Sequence, residues 1–154
     1  MDIIDLADEP LHIPTLAKWH HDEWGYLNPN GSVEQRIEKM ERYLSSGLIP
    51  STFIAKEGVT VLGSAAIIEN DMDTHPELSP WLASVFVAPE HRGNGIGSKL
   101  VNYILERAHL EQLGTLYLFT PTKEQFYSRL GWSTNRKEKY RGVSVTIMDI
   151  ELNG

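Results

Sequence analysis

Cysteine is absent from the 154-residue chain, which removes disulfide frameworks, thiolate zinc sites and a thiol nucleophile together. No apolar run reaches the roughly 18 residues of a membrane span, because Glu69, Asp71 and Asp73 end the longest one. The stretch Met1-Asp2-Ile3-Ile4-Asp5 lacks the basic and apolar regions of a signal peptide, so a cytoplasmic location is expected. Positive charge is also scarce: 14 Lys and Arg stand against 21 Asp and Glu. The resulting net charge of -7 opposes nonspecific binding to nucleic acid, although a local basic patch can still hold a small polyanion. With no repeat, low-complexity tract or linker, a single domain over 1–154 is expected.

What is present has a globular balance, 41% hydrophobic and 23% charged. A strand over 3–6 leads into a helix over 10–24, stopped by Gly25. Ser32 with Gln35 three residues later opens a second helix to about Ser46. Residues 52–56 and 59–68 read as antiparallel strands around Glu57-Gly58. After an acidic loop over 70–80, residues 81–87 read as a buried strand. Gly93-Asn94-Gly95-Ile96-Gly97 then leads into a helix whose Leu100, Val101, Ile104, Leu105 and Ala108 repeat at helical spacing. A strand over 115–120, a short helix over 121–130 and two strands over 132–140 and 143–151 close the chain.

The glycine loop carries the first chemical signal. Glycines ahead of a helix let the backbone approach a ligand and aim free N–H groups in one direction. The helix end adds partial positive charge, and Arg92 and Lys99 add full charges, a combination suited to a pyrophosphate. The Gly-x-x-x-x-Gly-Lys-Ser/Thr frame of a P-loop is missing, and a dinucleotide fingerprint does not normally follow an antiparallel hairpin.

The segment Val87-x-Pro89-Glu90-x-Arg92-Gly93-Asn94-Gly95-Ile96-Gly97, followed about 30 residues later by Tyr127-Ser128-Arg129-Leu130-Gly131-Trp132, closely resembles the two signatures of the GNAT superfamily of acyl-CoA-dependent N-acetyltransferases. The resemblance implies an α/β (α+β) fold: a mixed, mostly antiparallel sheet of about seven strands, flanked by about four helices and splayed between the strands near 81–87 and 115–120. It implies acetyl-CoA as co-substrate, with Arg92, Gly93, Asn94, Gly95, Ile96 and Gly97 around the pyrophosphate and Ser98 beside them. Val85, Phe86 and Val87 would offer strand-edge groups to the pantetheine arm and thioester. Thr120 stands where many relatives have a cofactor-contacting Asn. Tyr127 resembles the family's general acid, which protonates the departing thiolate.

The expected reaction is transfer of an acetyl group to a primary amine by direct attack, since the thiol intermediate is ruled out. The alternative is a CoA-binding sensor or partner-binding module without turnover. A longer acyl group depends on the space near Phe86 and Phe126. On the acceptor side, Glu69, Asp71, Asp73 and His75 lie in or beside the loop before the central strand, and His20, His21, Asp22 and Glu23 end the first helix. An acidic lining from Glu69, Asp71 and Asp73 would attract a cationic amine. Trp24, with Trp19 and Trp81, is a candidate pocket wall. Adjacent helical residues such as His20 and His21 diverge by about 100°, so no metal is expected. Small polyamines, aminoglycosides, lysine side chains and peptide N-termini are all open as acceptors, and monomer and homodimer are both open as assemblies.

Overall fold

The computed structural model describes residues 1–152. Seven strands form one sheet: β1 (Asp2–Asp5), β2 (Ser51–Glu57), β3 (Thr60–Ile68), β4 (Trp81–Val87), β5 (Thr115–Thr120), β6 (Ser133–Tyr140) and β7 (Val143–Glu151). Four helices accompany them: α1 (Ile13–Trp24), α2 (Val33–Arg42), α3 (Ile96–Leu110) and α4 (Glu124–Arg129). The spatial order is β1-β2-β3-β4-β5-β7-β6, antiparallel everywhere except between β4 and β5. This is the mixed, mostly antiparallel α/β architecture expected from the sequence. Among the described residues no helix is long and apolar enough to cross a membrane.

Alternation along β2 explains how the helices divide between the two faces. Phe53 and Ala55 join the apolar stripe of α3, Leu100, Val101, Ile104 and Ala108, while Ile54 joins Ile13, Leu16 and Ala17 of α1 and Met40 of α2. Each aliphatic side chain fully buried there contributes about 1.5–3 kcal/mol. Helix boundaries are tighter than the sequence reading. Pro10–His12 forms a 3-10 turn ahead of α1, α2 ends at Arg42, and α4 starts at Glu124.

Ser32 is extended and its hydroxyl accepts the Gln35 N–H at 3.1 Å, so one of the orphan donors at the start of α2 is satisfied. Ser32→Ala is expected to cost about 1 kcal/mol, read as a fall of roughly 2–4 °C in Tm.

Two irregularities shape the centre of the sheet. β4 and β5 run parallel and pair only at Trp81 with Tyr117, where the Tyr117 N–H also donates to the Pro80 carbonyl at 3.0 Å. Beyond that point the strands part and leave a cleft. The fully buried Trp81 at this paired position belongs to the core, its indole N–H donating to the Leu78 carbonyl. The second irregularity is a bulge: two steps along β3 from Ala66 to Ser64 match three along β4 from Ala83 to Phe86. The extra residue falls at Ser84, which holds a φ of 54°. Bulges of this kind re-aim the strand beside a site.

Candidate active site

Two cavities meet in the cleft. The first, of about 380 Å³, lies under the α3 N-terminus and is lined by Val85, Phe86, Val87, Arg92, Gly93, Gly95, Ile96, Gly97 and Ser98 together with Phe126. The second, of about 300 Å³, opens between the α1–α2 side and β5, with Trp24, Arg36, Lys39, Asp71, Ser84, Thr120 and Arg141 on its walls. Glu23, Val85, Lys123 and Tyr127 line both and so form the seam.

The first cavity is built for an anion. Gly93 and Gly95 hold φ of 84° and 77°, conformations that favour glycine, and Gly95 is the N-cap of α3. No side chain caps that helix, whose first intrahelical bond runs from the Lys99 N–H to the Gly95 carbonyl, so the preceding amides are free for a ligand. Arg92 is tied back through its Nε–H to the Val87 carbonyl at 2.8 Å, with its guanidinium 5.4 Å from the centre of the Phe86 ring. Asn94 is turned from the cavity lining, its side-chain amide donating to the His91 carbonyl.

Tyr127 is 8% exposed and packs between Phe126 and Trp132, with ring centroids 5.0 and 6.2 Å away. Burial alone pushes its phenol well above the ordinary range, so the hydroxyl stays protonated and can act as a donor at the seam. Thr120 lines the second cavity rather than the first, and its hydroxyl accepts the Lys123 N–H at 3.0 Å ahead of α4.

A chain of hydrogen bonds holds the bulge. Arg36 Nη2 donates to Ser84 Oγ at 2.6 Å and to His20 Nδ1 at 2.9 Å. With Nδ1 accepting, the His20 proton sits on Nε2 and goes to Ser64 Oγ at 2.8 Å, whose hydroxyl donates to the Ser84 carbonyl at 3.0 Å. His20 is buried and its pKa is held well below the usual histidine range, first by burial and then by Arg36. A neutral ring is what this chain requires, since a second ring proton would face Arg36. His20 stands among the acceptor-side candidates of the sequence, and Ser84 was within reach as a polar position in an otherwise apolar strand. Their connection through Arg36 has no local signature.

Of the acceptor-side expectations, Trp24 and Asp71 face the second cavity. Glu69 is exposed and lines neither cavity, and Asp73 is turned to Arg141 and Tyr140, both at 3.2 Å. His75 bridges Glu77 and Glu138 at 2.9 and 2.6 Å, Trp81 is core, and Trp19 packs on Phe86. The cavity is therefore less acidic than the loop sequence suggests: Arg36, Lys39, Lys123 and Arg141 face it alongside Glu23 and Asp71. Asp71 is half-buried, and burial raises its pKa against the opposing pull of Lys39, Arg36 and Arg141.

Residues 50–134 match the acetyltransferase (GNAT) domain family, more than half of the chain. No curated protein sequence matches. Among solved structures, the chain superposes on an aminoglycoside 6'-N-acetyltransferase complexed with coenzyme A, with a TM-score of 0.75, 17% identity and 100% and 98% of the two chains covered. The ribosomal-protein-alanine N-acetyltransferase of Brucella melitensis gives 0.75, 18% identity and coverage of 98% and 99%. The yncA protein of Salmonella typhimurium with its cofactor acetyl-CoA gives 0.74, 16% identity and coverage of 100% and 95%. At such identities the superpositions speak for the fold, and it is the match over residues 50–134 that shows the chain to be a member of the GNAT acetyltransferase family.

Proposed function

We propose that the protein transfers an acetyl group from acetyl-CoA to a primary amine by direct attack, with Tyr127 as general acid. The observation that carries this reading is the position of Tyr127 at the seam between an anion-binding cavity and a second, polar one. The first cavity fits the donor: its uncapped helix start suits the pyrophosphate, and Val85 to Val87 run along the strand edge toward the seam. Structural relatives solved with coenzyme A or acetyl-CoA support that choice of donor.

The acceptor enters from the second cavity. Its ammonium gives up a proton, for which Glu23 and Asp71 are the carboxylates facing that space. The neutral nitrogen attacks the thioester carbonyl carbon, a C–N bond forms, and the C–S bond breaks. The departing thiolate takes the phenolic proton of Tyr127. With no cysteine in the chain, no acyl-thiol intermediate intervenes.

Acetyl-CoA at about 100 times its Kd should stabilise the fold by about 2.7 kcal/mol, a rise of roughly 5–10 °C in Tm for a chain of this size. In a Gly95→Trp variant the rise should vanish, because the position requires positive φ and the indole would cover the helix start. Thiol release that depends on added amine completes the test. No rise in the wild type at millimolar acetyl-CoA would sink the reading.

A further inference from the structure

The second cavity contains more positive charge than its walls neutralise. Arg141 is answered by Asp73 at 3.2 Å and donates its other Nη to the Leu27 carbonyl. Arg36 is not answered in this way: its hydrogen bonds go to His20 and Ser84, both neutral partners. Lys39 lies 5.8 Å from the centre of the Tyr43 ring, and among the described residues neither Lys39 nor Arg36 has a carboxylate in salt-bridge contact. Among the described residues, Asp71 is the carboxylate whose charge acts on both. Two cations therefore share one acid in a half-buried space; burial disfavours the charged form of both, and Arg36 adds to that at Lys39.

Desolvated cations without full compensation are costly, and the cost falls when an anion arrives. The pyrophosphate of the donor does not meet this need, because its site lies under α3 in the other cavity. We infer that the acceptor is a small amine that itself bears a compact anionic group, in the simplest case a carboxylate, seated against Lys39 and the Arg36 charge. This rests on the acetyltransfer reading above and narrows its acceptor. The amine end points to the seam at Tyr127, and the anionic end to the C-terminal turn of α2, which carries Lys39. A volume of about 300 Å³ is at the small end of ligand pockets. Polycationic acceptors would add charge of the sign already in surplus.

The test uses matched acceptors: the free α-amino acids, β-alanine and γ-aminobutyrate against the corresponding amides, with spermidine and kanamycin as polycations, all at saturating acetyl-CoA with thiol release as the readout. The acid form is expected to exceed its amide in kcat/KM by about tenfold or more, the worth of one charge-assisted contact. Lys39→Gln is expected to raise KM for the acid about tenfold with kcat within about twofold, to leave the amide unchanged, and to be rescued by Lys39→Arg. Equal or better use of amides or polycations overturns the inference. So does an unaltered KM in Lys39→Gln, or no turnover of any acid while acetyl-CoA still raises Tm. Loss of the acetyl-CoA shift itself would instead remove the acetyltransfer reading, and the inference with it.

Discussion

A Tyr127→Phe enzyme is expected to lose about 10²- to 10⁴-fold in kcat, the usual worth of a positioned general acid, while acetyl-CoA raises its Tm as in the wild type. The substitution removes a hydroxyl and keeps the ring, so the contacts with Phe126 and Trp132 and the packing of α4 persist. What disappears is the proton that the proposed mechanism gives to the thiolate. Because burial raises the phenol's pKa, its deprotonation should produce no falling limb in the wild-type pH profile up to about pH 10. The same variant separates an enzyme from a CoA sensor: a binding module without turnover would be indifferent to the loss of the hydroxyl. Retained kcat in Tyr127→Phe would assign the proton to another donor, with Lys123 the remaining cationic group at the seam.

Much of the first cavity was legible in the sequence because its lining is local. The stretch from Val87 to Gly97 encodes a strand end, a turn and a helix start in consecutive residues, and it closes in space much as it does along the chain. The α3 stripe was equally plain, since helical spacing alone selects Leu100, Val101, Ile104 and Ala108, all of them buried completely. The second cavity was legible only in part, through Glu23, Trp24 and Asp71, and the reason is topological. Arg36 and Lys39 are three apart on α2, a polar spacing that in sequence reads as a solvated face. They reach the cleft only because α2 packs beside α1 on one face of the sheet, more than 40 residues from Ser84 in sequence. Glu69 and Asp73 fail as cavity walls for a similar reason: the direction of a loop carboxylate is set by its tertiary partner, here Arg141 and Tyr140 for Asp73. The Ser84 bulge left no trace in composition either, because no glycine marks it and the extra residue is visible only in the register against β3.

The register makes one further position sensitive. Gly63 is paired with Val87 in the β3–β4 ladder, and a Cβ placed there would run into the Phe86 carbonyl oxygen and lie 3.2 Å from the Val87 Cα. Those neighbours are backbone atoms that cannot swing aside, so Gly63→Ala must push β4 away from β3. The expected cost is about 1–3 kcal/mol, the range for overpacking, or roughly 2–4 °C in Tm for each kcal/mol. The displaced residues, Phe86 and Val87, also line the first cavity, the proposed donor site. Gly63→Ala should therefore lose part of the Tm rise given by acetyl-CoA, whereas Ser32→Ala, which loosens only the start of α2, should keep all of it. Wild-type stability in Gly63→Ala would contradict the close approach of the two strands. A destabilised variant with the full acetyl-CoA shift would separate the two effects, leaving the strand contact intact as a structural fact and removing the Phe86–Val87 edge from the donor site.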